Sequence, residues 1–172
     1  MPLRQQLPSI WDFLYRLLDG AISEQQWDNF KQDILGSPLW HAQIYHMRTE
    51  NPFHWGPYAI LVRDLAFKPE DVHNHDYFSG PEIIEDICYC FRQIYHLDVL
   101  KLFLQKTKPC IVKFIDGGTG TKYVRAALWH LHKIAWREKC TDYCNDCFDG
   151  RGVPVARDRI LGIEFPNRSD NR

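Results

Sequence analysis

The sequence predicts an α+β fold: one helix-rich domain with a small sheet and a C-terminal Cys-rich segment resembling a zinc knuckle. Three observations predict it. Apolar residues recur at helical spacing along most of the chain. Only two short apolar runs read as strands, at 58–62 and 110–115. Three cysteines crowd into 140–147, beyond the last periodic helix. The expected division of the single domain 1–172 is a helical unit at 1–47, a mixed core at 58–138, and a Cys-rich segment with its tail at 139–172.

Ser9 opens the first helical pattern, with Ile10, Phe13, Leu14, Leu17 and Leu18 on one stripe and Gly20 as the stop. Ser23 and Gln26 have capping-box spacing, since Gln26 can reach back to the Ser23 amide. The helix they open carries Trp27, Phe30, Ile34 and Leu35 and stops at Gly36. Ser37-Pro38 restarts a third helix through Trp40, Ile44 and Tyr45, because Pro is tolerated in a first turn. Residues 48–57 form a loop. Tyr58–Val62 reads as a buried strand and 68–81 as a second loop. Ser79 and Glu82 give another capping-box spacing around Pro81. The helix that follows carries Ile83, Ile84, Ile87, Cys88, Phe91, Ile94 and Tyr95, and bends near Leu97-Asp98 into Val99–Leu104. Cys110–Ile115 reads as a strand with Cys110 buried in it. A Gly-rich turn leads into a strongly periodic helix over 121–138. One apolar run, Ile160 to Phe165, interrupts the tail.

Composition narrows the function classes. Hydrophobic residues make up 45% and charged residues 25%, the balance of a globular chain, which excludes collagen-like and low-complexity classes. Lys and Arg number 21 against 22 Asp and Glu. That near-neutrality excludes a general polyanion-binding field, so any nucleic-acid site must be a local patch. The N-terminal apolar residues are interleaved with Asp12, Arg16 and Asp19, leaving no signal-peptide core. The expectation is a soluble protein of a reducing compartment, cytoplasm or nucleus, with no membrane association. Reduced thiols or metal ligands are then the better reading of the six cysteines.

Cys140-x3-Cys144-x2-Cys147 is the most specific chemical feature. The Cys144-Asn-Asp-Cys147 knuckle lets two thiolates converge on one ion. Zinc takes four N or S ligands in a tetrahedron, so a fourth must come from elsewhere. Cys88, Cys90, His73, His75, His130 and His132 are the candidates. On a helix His130 and His132 point about 160° apart, and a continuous helix would put His132 about 12 Å along the axis from Cys140. The missing ligand is therefore expected from the middle of the chain, at His73 or His75. Zinc is the expected cofactor; free thiols and a redox dithiol are the alternatives.

Three further motifs invite function. Asp71-Val-His-Asn-His-Asp76 places two imidazoles and two carboxylates within six residues, and in an extended segment His73 and His75 share a side. The string DVHNHDYFSG resembles the opening motif of PHP-type metal phosphoesterases over about ten residues, without that family's later His and Asp motifs. The plainer reading is a polar surface loop. The turn Asp116–Lys122 could hold a phosphate through Gly118, Thr119 and Lys122 at a helix N-terminus. It is similar to the phosphate turn of actin-like sugar kinases, although only 50 residues follow it here; a tight turn needing glycine is the simpler account. Phe53-His54-Trp55 is similar to the His box of NlpC/P60-like enzymes, which need a Cys at a helix start that this chain does not offer.

The helix 121–138 has a clean apolar face: Val124, Ala127, Leu128, Leu131, Ile134 and Ala135. Beside it Arg125, Trp129, His132 and Trp136 fall within about 60°. This stripe either contacts a partner, protein or nucleic acid, or packs its two Trp under the N-terminal helices; the usual burial of Trp favours packing. The leading expectation is a compact, zinc-stabilised protein that binds another macromolecule. Such proteins occur among viral and phage accessory factors. The alternative is a metal-dependent phosphoesterase or nuclease using His73, His75 and Asp76. No complete catalytic set is present, and no motif identifies a family.

Overall fold

The computed structural model describes residues 3–117 and 120–166. Among them are six α-helices and two antiparallel two-stranded sheets, an α+β content rich in helix. Two units interleave along the chain. One comprises Met1–Gly56, Ser79–Lys108 and Arg151–Val153; the other comprises Pro57–Phe78, Pro109–Gly150 and Pro154–Arg172.

The helical unit holds α1 (Leu3–Leu17), α2 (Glu24–Gly36), α3 (Trp40–Glu50), α4 (Glu82–Tyr95) and α5 (Val99–Lys106). α1 starts six residues before Ser9 and contains Pro8. A proline this near a helix start removes only one backbone hydrogen bond, so the pattern continues through it. Gly20, at φ +81°, supplies the left-handed turn that follows. The α2 capping box forms as read: Gln26 N donates to Ser23 Oγ at 3.2 Å, and Ser23 N donates to Gln26 Oε1 at 2.9 Å. α3 starts later than Ser37-Pro38, after Leu39, and Trp40 is exposed rather than on the packed face. At α4 the N-cap is Pro81, which has no capping side chain, instead of Ser79. Asp98 caps α5 by accepting from Lys101 N at 3.1 Å, which explains the bend between α4 and α5.

Much of the chain's aromatic content goes into this unit's core. Phe30 is fully buried and meets Phe91 edge to face at 5.1 Å and Trp11 at 5.7 Å. Trp27 closes the cluster from the same helix. The Trp11 indole N–H donates to the Tyr45 hydroxyl at 3.2 Å, so these two polar groups of the cluster satisfy each other. Burial pushes the Tyr45 hydroxyl above its ordinary value.

The mixed unit holds β1 (Tyr58–Ile60), β2 (Ile111–Phe114), α6 (Thr121–Ala135), β3 (Cys147–Asp149) and β4 (Ile160–Glu164). β1 pairs with β3, aligning Tyr58 with Asp149, and β2 pairs with β4, aligning Val112 with Ile163. β1 ends at Ile60 and is only half-buried, not the buried strand expected over 58–62. Cys110 lies exposed just before β2, not inside it. Phe114 and Phe148 meet edge to face at 5.1 Å, one from each sheet. A small core of Leu65, Val72 and Cys144 lies beneath the loops.

Glu164 on β4 accepts from Arg63 and from Lys113 of β2, the latter at 2.9 Å. These two cations hold its carboxyl well below its ordinary value of 4.5, at about 2. The folded value is the lower one. Its stabilisation is therefore complete above pH 4.5 and is lost as pH falls toward about 2. Denaturation of wild type and Glu164→Gln should show a gap that is largest at neutral pH and closes in acid. A gap independent of pH would refute this assignment.

Candidate interaction surface and cysteine cluster

α6 is amphipathic in sequence, and the structure turns it the unusual way round. Ala126 is buried, and Tyr123, Ala127, His130 and Lys133 are half-buried. These residues lie on the side of the helix away from the Val124–Leu128–Leu131 stripe. α6 rests on the one-turn 3-10 helix Asp142–Cys144. Val124, Leu128, Leu131 and Ile134 are 56–61% exposed. The face expected to enter the core therefore faces water. A polar set holds the opposite side: Lys122 to Asp146 at 3.1 Å, Lys133 to Glu138 at 2.6 Å, and His130 Nδ1 beside Cys140 Sγ at 3.5 Å.

The expected aromatic–basic stripe is assembled and exposed, contrary to the packing of both Trp that their usual burial favoured. Trp129 is 41% and Trp136 is 70% exposed. Trp129 lies 5.8 Å from the His132 ring and 5.9 Å from Tyr143, and His132 lies 6.1 Å from Trp136. With Thr121, Val124, Arg125 and Leu128, Trp129 and His132 line an open hollow of about 600 Å³.

The helix was expected to run to 138, but it ends at Ala135. Arg137 adopts φ +55° and the chain doubles back. That reversal carries Cys140 to His130, a neighbour the continuous-helix geometry had placed out of reach. Burial raises the Cys140 thiol, as do the adjacent Cys144 and its hydrogen bond. Cys144 is fully buried. Cys147 lies exposed on β3, its sulfur accepting from Asn145 Nδ2 at 3.9 Å. All six cysteines are free. Among the described residues no three His, Cys, Asp or Glu side chains are grouped to hold a metal ion. Cys88 and Cys90 belong to the helical unit's core, where burial pushes their thiols to about 12 and about 11.

The His73–Asp76 segment is not extended. Pro69–Val72 forms a short 3-10 helix, and His73 closes it at φ +49°. His73 does reach the Cys-rich segment, but its Nδ1 pairs with Asp142 Oδ1 at 3.0 Å, which raises the imidazole. His75 stands edge to face against Tyr77 at 4.8 Å. Of the expected phosphate residues, Gly118 and Thr119 lie outside the described residues. Lys122 is committed to Asp146 and to the Cys147 carbonyl at 3.1 Å.

One polar cluster had no expectation attached. Asp86 of α4 is buried and paired through Oδ1 with His41 Nδ1 at 2.8 Å, while Arg48 Nε lies 3.6 Å from its other oxygen. Burial raises the Asp86 carboxyl despite both neighbours. The His41 ring also lies 4.0 Å from that of Tyr89. The signal was readable: Asp86 interrupts an apolar stripe, and His41 and Arg48, seven residues apart, share a face of α3. The cluster ties α3 to α4.

No helix among the described residues is long and apolar enough to cross a membrane. No family model, curated protein or solved structure matches the chain.

Proposed function

We propose that this chain is an interaction protein that binds another protein through the outward face of α6. The observation that carries the reading is the inverted helix: its aliphatic stripe is exposed, and its polar side is anchored. A contiguous exposed apolar patch costs solubility, and in soluble proteins it marks a contact site. Trp129, Trp136 and Arg125 border the stripe, and Trp and Arg are the residues that dominate contact energies. A protein suits this face better than a nucleic acid does. Val124, Leu128, Leu131 and Ile134 have no planar surface for stacking bases. The test is a Leu128→Asp/Leu131→Asp double variant. It should keep its helix content and lose binding of an apolar fluorescent dye; a collapsed fold would return the face to the core and overturn the reading.

The zinc-stabilised form of this proposal starts from Cys140, which has the His130 imidazole at 3.5 Å and the Cys144 thiol as separate neighbours; the described residues form no ready metal group, so zinc would have to draw these donors together. Zinc would displace the thiol protons that burial now favours, and would pin the tail of α6. Metal analysis of the purified protein decides it. One zinc per chain, lost in Cys144→Ser, supports the staple; an equally stable metal-free protein removes it. The hydrolase alternative gains no support, since His73 and Lys122 are paired with the chain's own carboxylates.

A further inference from the structure

Resting on the α6 reading, we infer that the occupant of this face is an acidic amphipathic helix of a partner protein. Thr121, Val124, Leu128, Leu131 and Ala135 follow one another at alternating steps of three and four residues. That spacing forms a straight seam of the kind helices offer one another. α6 has 15 residues, about 22 Å of axis, or four turns of a facing helix.

Charge selects the partner. From Thr121 to Arg137 the sequence has Lys122, Arg125, Lys133 and Arg137 and no Asp or Glu. Asp146 and Glu138 neutralise the two lysines. Arg125 is in no ion pair among the described residues, whereas Arg137 lies past the end of α6 on the side of His130 and Cys140 and takes no part in this face. Arg125 lies on the rim of the hollow, so a carboxylate carried by the incoming helix would meet it as the seam closes. A second copy of the chain would bring another α6 with no acidic residue, setting like charges together. The apolar seam with Arg125 on its rim thus asks for leucine-like and acidic residues on one helix face.

The experiment titrates the full chain with a synthetic peptide of about 18 residues, five helical turns, with Leu at the seam positions and Glu on the flanks. A matched peptide carries Lys in place of Glu. Trp fluorescence and calorimetry report binding. The acidic peptide should bind at least about tenfold more tightly than the basic one, and added salt should narrow the gap. Arg125→Glu should abolish the preference for the acidic peptide while the protein stays folded. Equal binding of both peptides would overturn the acidic partner and leave the apolar contact face standing. Failure of both peptides overturns the acidic helix, and the contact face itself is then judged separately by the dye-binding test on Leu128→Asp/Leu131→Asp. Stronger binding to phosphatidylserine vesicles, or a concentration-dependent dimer abolished by Leu128→Asp, would also overturn the inference.

Discussion

Phe30→Ala is expected to lower the unfolding free energy of the helical unit by about 3–5 kcal/mol, the largest effect of any single truncation considered. Phe30 is fully buried, and its ring makes edge-to-face contacts with Trp11, Phe91 and Tyr95. Truncation removes the ring's transfer energy and opens a cavity walled by large rigid rings. Such rings collapse poorly into empty space, which puts the cost toward the upper end. Urea denaturation of the pure variant measures it. A loss under about 1.5 kcal/mol would mean that Phe30 does not hold this cluster together.

Leu128→Asp with Leu131→Asp is expected to do the opposite: stability should change by only about 1 kcal/mol, while binding to an apolar helical probe falls at least about 100-fold. Asp forms helix less readily than Leu by roughly 0.5 kcal/mol at each site, and that accounts for the stability change. Both leucines are about 60% exposed, so little area is returned to water on unfolding. Binding is where their apolar area would be buried. A thermal melt and a peptide titration of the same preparation separate the two quantities. A stability loss near that of Phe30→Ala would show that α6 packs by its apolar stripe after all.

Local rules account for most of the elements. Ser23 with Gln26, Gly20 and the Asp98 bend were readable because each acts within four residues of where it is felt. The differences lie at element boundaries, where neighbouring local signals compete, and at chain reversals that no local signal marks. The periodicity that opens at Ser9 places the first helix six residues late, because Pro8 within α1 costs one hydrogen bond without ending the helix. Ser79 was taken as a cap, although Pro81 occupies the position. The cysteine cluster shows the same limit. The trio at 140–147 is legible as a group, but continuous-helix geometry favours a ligand from the middle of the chain over His130, which the structure brings to 3.5 Å from Cys140. No glycine or proline in Ala135-Trp-Arg-Glu-Lys-Cys140 announces that the chain reverses at Arg137.

One-dimensional pattern was enough for the α+β class, the presence of the helices, the aromatic wealth of the core and the amphipathic pattern of α6, though not for the ends of α1 and α6. Periodicity and capping are short-range, so they survive being read in one dimension. Contacts made on folding set the apolar side of α2 in the core and leave that of α6 on the surface, bring His73 to Asp142, and return Cys140 to His130. An apolar stripe states only that a face prefers to leave water. Whether the chain itself covers that face depends on contacts between residues distant in sequence.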